Sequence, residues 1–168
     1  MYWLAKMLYA GEDPRFIARR MIILASEDIG NADPRALMVA TAAMQAVEFV
    51  GMPEARIILS QAVTYLATCP KSNAAYLAIG EATKDVETGR TLSVPKHLRS
   101  AAYKSAKKLG HEGYEYAHNG EGHFVDQEYI PSDATYYRPT EQGYEKTIAE
   151  RMAYWDQLRE QAREREKH

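Results

Sequence analysis

The stretch from Ala25 to Leu37, Ala-Ser-Glu-Asp-Ile-Gly-Asn-Ala-Asp-Pro-Arg-Ala-Leu, constrains the fold more than any other part of the chain. It joins two strongly helical segments through a compact acidic turn. Gly30 can end the first segment, because glycine takes a positive φ at little cost. Asp33 can cap the second, with Pro34 preset for its first turn. Helices broken by so short a turn must lie side by side. Similar punctuation recurs at Gly11 before Asp13-Pro14, at Gly51 before Pro53 and at Pro70 before Ser72.

Between these breaks the apolar residues follow helical spacing. A short helix is predicted over 2–10. A second opens at Asp13-Pro14 and carries Phe16, Ile17, Met21, Leu24 and Ala25. A third spans 34–50 with Leu37, Ala40, Met44, Val47 and Val50 as its apolar set. A fourth starts at Pro53 with Ile57, Ile58, Gln61, Tyr65 and Leu66. A fifth runs from the Ser72 cap to about Glu87. Alanines at 40, 42, 43, 46, 62, 67, 74, 75, 78 and 82 let helices approach closely, so residues 1–88 read as packed antiparallel helical hairpins. Pro95 is expected to open a short helix through about Leu109. The segment 110–142 holds glycines at 110, 113, 120 and 122 and tyrosines at 114, 116, 129, 136 and 137. It is too aromatic for a disordered linker and reads as an irregular arm, with room for a short hairpin. Residues 144–166 return to helix, with Tyr144, Ile148, Met152, Trp155 and Leu158 on one stripe and a charged, fraying end.

The predicted fold class is therefore all-α: a helical core over 1–109, a Tyr-rich arm over 110–143 and a long C-terminal helix over 144–168, in one domain. At 168 residues the chain can bury a real core. Its formal net charge of −2 does not mark the whole chain as a nucleic-acid binder. The single cysteine, Cys69, excludes an intramolecular disulfide framework and suits a reducing compartment. No stretch reaches the roughly 20 apolar residues of a membrane span. Met1–Lys6 lacks the basic start of a signal peptide. A cytoplasmic protein is expected, and the chain is expected to be a piece that starts inside a helix.

Candidate chemistry is sparse. No phosphate-cradling Gly-x-x-x-x-Gly-Lys-Ser/Thr loop is present, and no Gly-x-Ser-x-Gly elbow marks a nucleophile. Ile22-Ile23-Leu24 before Glu27-Asp28 is superficially like a strand ending in metal-binding acids, although the surrounding period is helical. Glu27, Asp28 and Asp33 could hold a hard cation, as in a metal-dependent hydrolase. The simpler assignment makes Glu27, Asp28, Gly30, Asp33 and Pro34 a structural turn, with Asp33 as helix cap and an arginine such as Arg19, Arg20 or Arg35 nearby. His118, Glu121 and His123 share a glycine-rich loop, but their spacing matches no standard zinc site; hydrogen bonding of His118 within the arm is the plainer reading. Between Arg90 and His111 stand Arg90, Lys96, Arg99, Lys104, Lys107 and Lys108 with no Asp or Glu, and Tyr103 is interleaved. Lys96, Arg99, Lys104, Lys107 and Lys108 are candidate phosphate contacts for DNA. The alternative is a solvated face. Twelve tyrosines against three phenylalanines suit interfaces and loop–core seams.

The turn string Ala25–Leu37 resembles the C-terminal domain of the replication-associated recombination protein A family, also called MgsA. Other strings follow in family order: Tyr2-Trp3-Leu4-Ala5, Gly11-Glu12-Asp13-Pro14, Ala18-Arg19-Arg20, Cys69-Pro70-Lys71-Ser72-Asn73, Val94-Pro95-Lys96-His97-Leu98-Arg99, Tyr114-Glu115-Tyr116-Ala117-His118, Tyr136-Tyr137-Arg138-Pro139-Thr140 and Gly143-Tyr144-Glu145. The family comprises clamp-loader-like AAA+ ATPases and includes the Werner-helicase-interacting protein. The resemblance implies a collar-like helical domain that holds ATPase subunits together as a homotetramer. It implies that ATP, Mg²⁺ and catalysis belong to an N-terminal core outside this chain, so no catalytic residue, cofactor or metal is expected here. It also implies parent enzymes that act on DNA at stalled forks among other replication proteins, associated with the nucleoid and with no membrane partner.

Overall fold

The computed structural model of the chain describes residues 1–89, 92–100, 102, 105–130 and 134–165, leaving the Glu121 side chain aside. Six α-helices run in order: α1 (Tyr2–Tyr9), α2 (Pro14–Leu24), α3 (Arg35–Val50), α4 (Ala55–Thr68), α5 (Ala74–Glu87) and α6 (Glu145–Arg165). No strand occurs among the described residues, so the fold is all-α and the hairpin expected in the arm is not formed there. No helix among them is long and apolar enough to cross a membrane.

Two compact units divide the chain. The first comprises Met1–Glu81 with Tyr136–Ala149, and the second Ala82–Thr135 with Glu150–His168. In the first unit α2, α3 and α4 pack on one another and α1 packs on α4. The apolar core there is built from Leu4, Ile17, Met21, Ile29, Val47, Leu59 and Leu66, with alanines at the closest approaches.

The buried faces match the expected ones only in part: Ala40, Val47 and Leu66 are inside as expected. On α3 the buried residues are Ala36, Ala40, Ala43 and Val47, and on α4 Ala55, Leu59, Ala62 and Leu66. Leu37, Val50 and Ile57, expected inside, are exposed. Helices in close contact favour small side chains at the seam, which turns the larger ones to the rim. Helix α4 begins at Ala55 rather than Pro53, with the Ala55 amide on the Gly51 carbonyl at 2.9 Å.

The end of α2 is also altered. Residues Ala25–Ile29 form one wide π turn before Gly30, which inserts a residue's worth of rotation into the helix. Gly30 sits at φ 51°, and a Cβ there would lie 2.8 Å from the Ser72 carbonyl oxygen. The close approach of Ser72 therefore requires glycine as much as the turn does.

In the second unit the helix expected from Pro95 to Leu109 is not formed by the described residues of that stretch, which exclude 101, 103 and 104. The described residues instead carry two three-residue 3-10 turns, Lys96–Leu98 and Lys107–Leu109. Only Ala106 is buried there, so no apolar stripe docks a helix, and a short undocked helix is unstable in water. The first turn of α6 belongs to the first unit, and the rest of that helix to the second.

Candidate functional site

The same tripeptide opens two helices: Asp13-Pro14-Arg15 at α2 and Asp33-Pro34-Arg35 at α3. In each, the aspartate side chain accepts a hydrogen bond from the arginine amide two residues on, at 2.8 Å and 3.2 Å. The guanidinium then folds back onto the same carboxylate, at 3.2 Å and 2.8 Å. Asp13 stands in solvent. The Asp33 side chain is only 8% exposed, and its Oδ2 also accepts the Tyr65 hydroxyl at 2.8 Å. The Arg35 hydrogen bonds hold the Asp33 carboxyl down at about 2; burial opposes this and Tyr65 assists. The hydrogen bond to Asp33 pushes the Tyr65 hydroxyl up. Burial, reinforced by the Asp33 charge, pushes the Cys69 thiol up, which leaves Cys69 protonated and inert as a nucleophile.

A second carboxylate lies in the same unit. Glu145, the first residue of α6, is fully buried. Its Oε2 accepts the Ser72 hydroxyl, the Thr140 amide and the Thr140 hydroxyl, all at 2.7 Å. Its Oε1 accepts the Tyr137 hydroxyl at 2.9 Å, which in turn accepts from the Asn31 amide at 3.2 Å. Burial alone would raise the Glu145 carboxyl, but these four hydrogen bonds outweigh it and the net shift is downward. Tyr137 is pushed up by burial first, with Glu145 acting in the same sense and Asn31 against it.

Backbone bonds close the remainder. The Ser72 amide donates to the Asp28 carbonyl at 2.9 Å, and the Tyr144 amide to the Ala32 carbonyl at 2.8 Å. Ser72 also caps α5, its Oγ accepting from the Ala74 amide at 3.2 Å. Gly143, at φ 53°, lets the strand of chain before α6 press on the turn: a Cβ there would run into the Ala32 carbonyl and the Pro70 ring.

The turn residues read from the sequence thus have definite places. Gly30, Asp33 and Pro34 shape the junction, Asp28 contributes its carbonyl, and Glu27 is half-buried on the π turn. Glu27, Asp28 and Asp33 do not converge, and among the described residues no three His, Cys, Asp or Glu side chains gather to hold a metal. Every carboxylate oxygen of Asp33 and Glu145 already accepts hydrogen bonds, an arrangement suited to locking three chain segments together. Sequence reasoning missed Glu145, Tyr137, Thr140 and Asn31 as partners and placed Tyr65 among apolar residues. The signal was present in the quoted strings, since the turn, Cys69–Asn73, Tyr136–Thr140 and Gly143–Glu145 meet at this lock.

In the second unit, Lys96, Arg99, Lys107 and Lys108 are exposed. The Lys96 stem lies over Gly110, beside the turn that bears Lys107 and Lys108. Arg99 donates from Nε to the Val94 carbonyl at 2.9 Å, and Lys107 stands 3.8 Å from Glu112. Lys104, Arg90 and Tyr103 lie outside the described residues.

The family model described as MgsA AAA+ ATPase C terminal matches residues 1–156. An uncharacterised AAA domain-containing protein of Mycobacterium tuberculosis is 51% identical over 163 residues, covering 95% of this chain and 35% of its own length. The replication-associated recombination protein A of Coxiella burnetii is 41% identical over 166 residues, covering 96% and 38%. That of Escherichia coli is 42% identical over 159 residues, covering 92% and 36%. The chain therefore spans about a third of the length of the curated relatives it matches.

Proposed function

The chain belongs to the family of MgsA-type AAA+ ATPase C-terminal domains, and from that premise we propose that it is a non-catalytic self-association domain that gathers ATPase subunits into a homotetramer. In this reading ATP binding and turnover lie in the remaining part of the parent enzyme. The parent acts in replication-associated recombination on DNA at stalled forks, in the cytoplasm.

The observation that carries the reading is the outer face of α5. Tyr76, Ile79, Thr83 and Val86 are spaced by three, four and three residues, the spacing of a two-helix seam. Tyr76, Ile79 and Val86 are 53%, 65% and 61% exposed, and Ala74 is the one buried residue that α5 contributes among those described. Gly80 and Ala82 beside the seam leave room for close approach. Met38 and Phe49 on α3 are exposed as well. Large apolar side chains displaced outward by an alanine-lined core suit an interface core. The filled hydrogen-bond capacity of Asp33 and Glu145 supports a structural rather than catalytic use of the buried acids.

The test is the solution mass of the chain by light scattering or sedimentation equilibrium. A closed tetramer is expected, reduced to smaller species by Ile79→Glu or Val86→Glu with helicity unchanged. A monomer at high micromolar concentration refutes the assignment for this chain. A second reading, DNA contact through Lys96, Arg99, Lys107 and Lys108, is favoured by the placement of Lys96 beside the Lys107–Leu109 turn. Assembly would multiply such contacts.

A further inference from the structure

The arm of the second unit contains a feature that neither assembly nor the carboxylate lock uses. Residues Ala117–Asn119 form a 3-10 turn, followed at Glu121–His123 by a turn with left-handed backbone, Gly122 at φ 63° and ψ 20°. They are closed by the Asn119 amide on the Tyr116 carbonyl at 2.8 Å and the His123 amide on the Gly120 carbonyl at 3.1 Å. This double turn brings Nδ1 of His118 to 3.2 Å from Nδ1 of His123, with the rings 4.9 Å apart and inclined by 69°. The Tyr116 ring lies 4.9 Å from that of His118, inclined by 45°. His123 sits at φ 59°, the one non-glycine with positive φ among the described residues. That conformation is uncommon for a residue with a side chain, and such residues concentrate at ligand clamps.

We propose that His118 and His123 form a two-imidazole site for a divalent transition-metal ion. Two ligands bound at 2.0–2.1 Å to tetrahedral zinc stand about 3.3 Å from each other, which is the separation already present. Neutral imidazole suits zinc, copper and nickel over magnesium or calcium. Both histidines are exposed, so an ion reaches them directly and water fills its other positions. Without metal, one Nδ1–H donates to the other Nδ1. On binding, that ring's proton moves to Nε2 through solvent, both Nδ1 lone pairs go to the ion, and nothing is oxidised or reduced. The ion would clamp residues 118–123 in place of a single hydrogen bond. This departs from the sequence-based expectation of no metal, because the spacing in sequence does not reveal the left-handed turn that folds His123 back.

The experiment is a calorimetric titration of Zn²⁺ into the intact chain, paired with two-dimensional NMR of the imidazole nitrogens. One equivalent is expected to bind and to shift Nδ1 of both His118 and His123. His118→Gln and His123→Gln should each weaken binding at least about tenfold, while His111→Gln leaves it unchanged. Affinity should fall from neutral to mildly acid pH, because the ligands must be neutral. Absence of binding at millimolar Zn²⁺ overturns the proposal. So does affinity that persists in the double variant, or metal shifts that bypass either Nδ1 in the unmodified chain.

Discussion

Replacing Glu145 by alanine tests whether the lock holds the first unit together. The side chain is fully buried and accepts four hydrogen bonds. Three of the donors are hydroxyls, which can rotate to aim their protons away from the lost carboxylate while their oxygens keep accepting from the Ala74 amide (Ser72), Asn31 (Tyr137) and the Gln142 amide (Thr140). The Thr140 amide cannot turn. Leaving it buried without an acceptor costs about 1–3 kcal/mol, and the hole left by the missing side chain adds about 1–2 kcal/mol. The sum is about 2–5 kcal/mol. Glu145→Gln keeps the volume and one acceptor oxygen for Thr140, and Tyr137 has a lone pair for the new N–H; about 1–2 kcal/mol is expected. Urea denaturation followed by far-UV circular dichroism reads the difference. With a slope near 2 kcal/mol per molar, the alanine variant should unfold about 1–2.5 M earlier. Protein concentration must be held fixed, since the proposed self-association would shift the midpoint. An alanine variant within 1 kcal/mol of the parent, or a glutamine variant as damaged as alanine, refutes the reasoning.

Gly143→Ala should lower stability by at least about 2 kcal/mol, through positive φ and the collision with Ala32 and Pro70, readable in the same urea assay. Because the folded Asp33 carboxyl is held at about 2, its contribution is full above the ordinary aspartate value near 4 and vanishes as pH falls through 2. It amounts to at most about 2 kcal/mol, since Arg35 is largely in solvent. Glu145 adds to the loss in the same direction, and Asp33→Asn should flatten the acid limb of a stability–pH curve. If the four described cations of the basic segment all met single-stranded DNA phosphates, the log–log salt slope would be about −2.8. A slope of about −1 to −2 is expected, because Arg99 and Lys107 have protein partners. Fluorescence anisotropy showing no binding even at low salt, for the parent and for a Lys107→Glu, Lys108→Glu variant alike, removes DNA contact from this domain.

Local chemistry was legible in the sequence where a residue acts on its neighbours. Gly30, the Asp33–Pro34 start of α3, Gly51, the stop at Pro70 and the Ser72 cap all work within two or three residues. On α3 and α4, Ala40, Val47 and Leu66 lie inside as expected and Met44, Ile58 and Tyr65 are half-buried against the core, but Leu37, Val50 and Ile57 were also expected there and Ala36, Ala55 and Leu59 were passed over. Periodicity favours the bulkiest side chains, whereas the closest helix seams here take alanine. The helix over 95–109 was misjudged because propensity alone does not dock a helix. The carboxylate lock was not legible as chemistry: Ser72 and Glu145 are 73 residues apart, and Asn31 and Tyr137 are 106 apart. No periodic pattern records such pairings; only the co-occurrence of the quoted strings marked those residues out.

Glu145 closes a junction whose other parts are made long before it. During synthesis, at about 5–20 residues per second, α1–α4 and the first half of α5 leave the ribosome ahead of Tyr136–Ala149. Over that interval the Ser72 hydroxyl and Asn31 have no Glu145 or Tyr137 to meet, because Tyr136–Ala149 completes the first unit only after all of Ala82–Thr135 has been added. Translation that stops before Tyr136 therefore leaves this junction unlocked. A finished lock thus reports that the chain has been made at least to the start of α6.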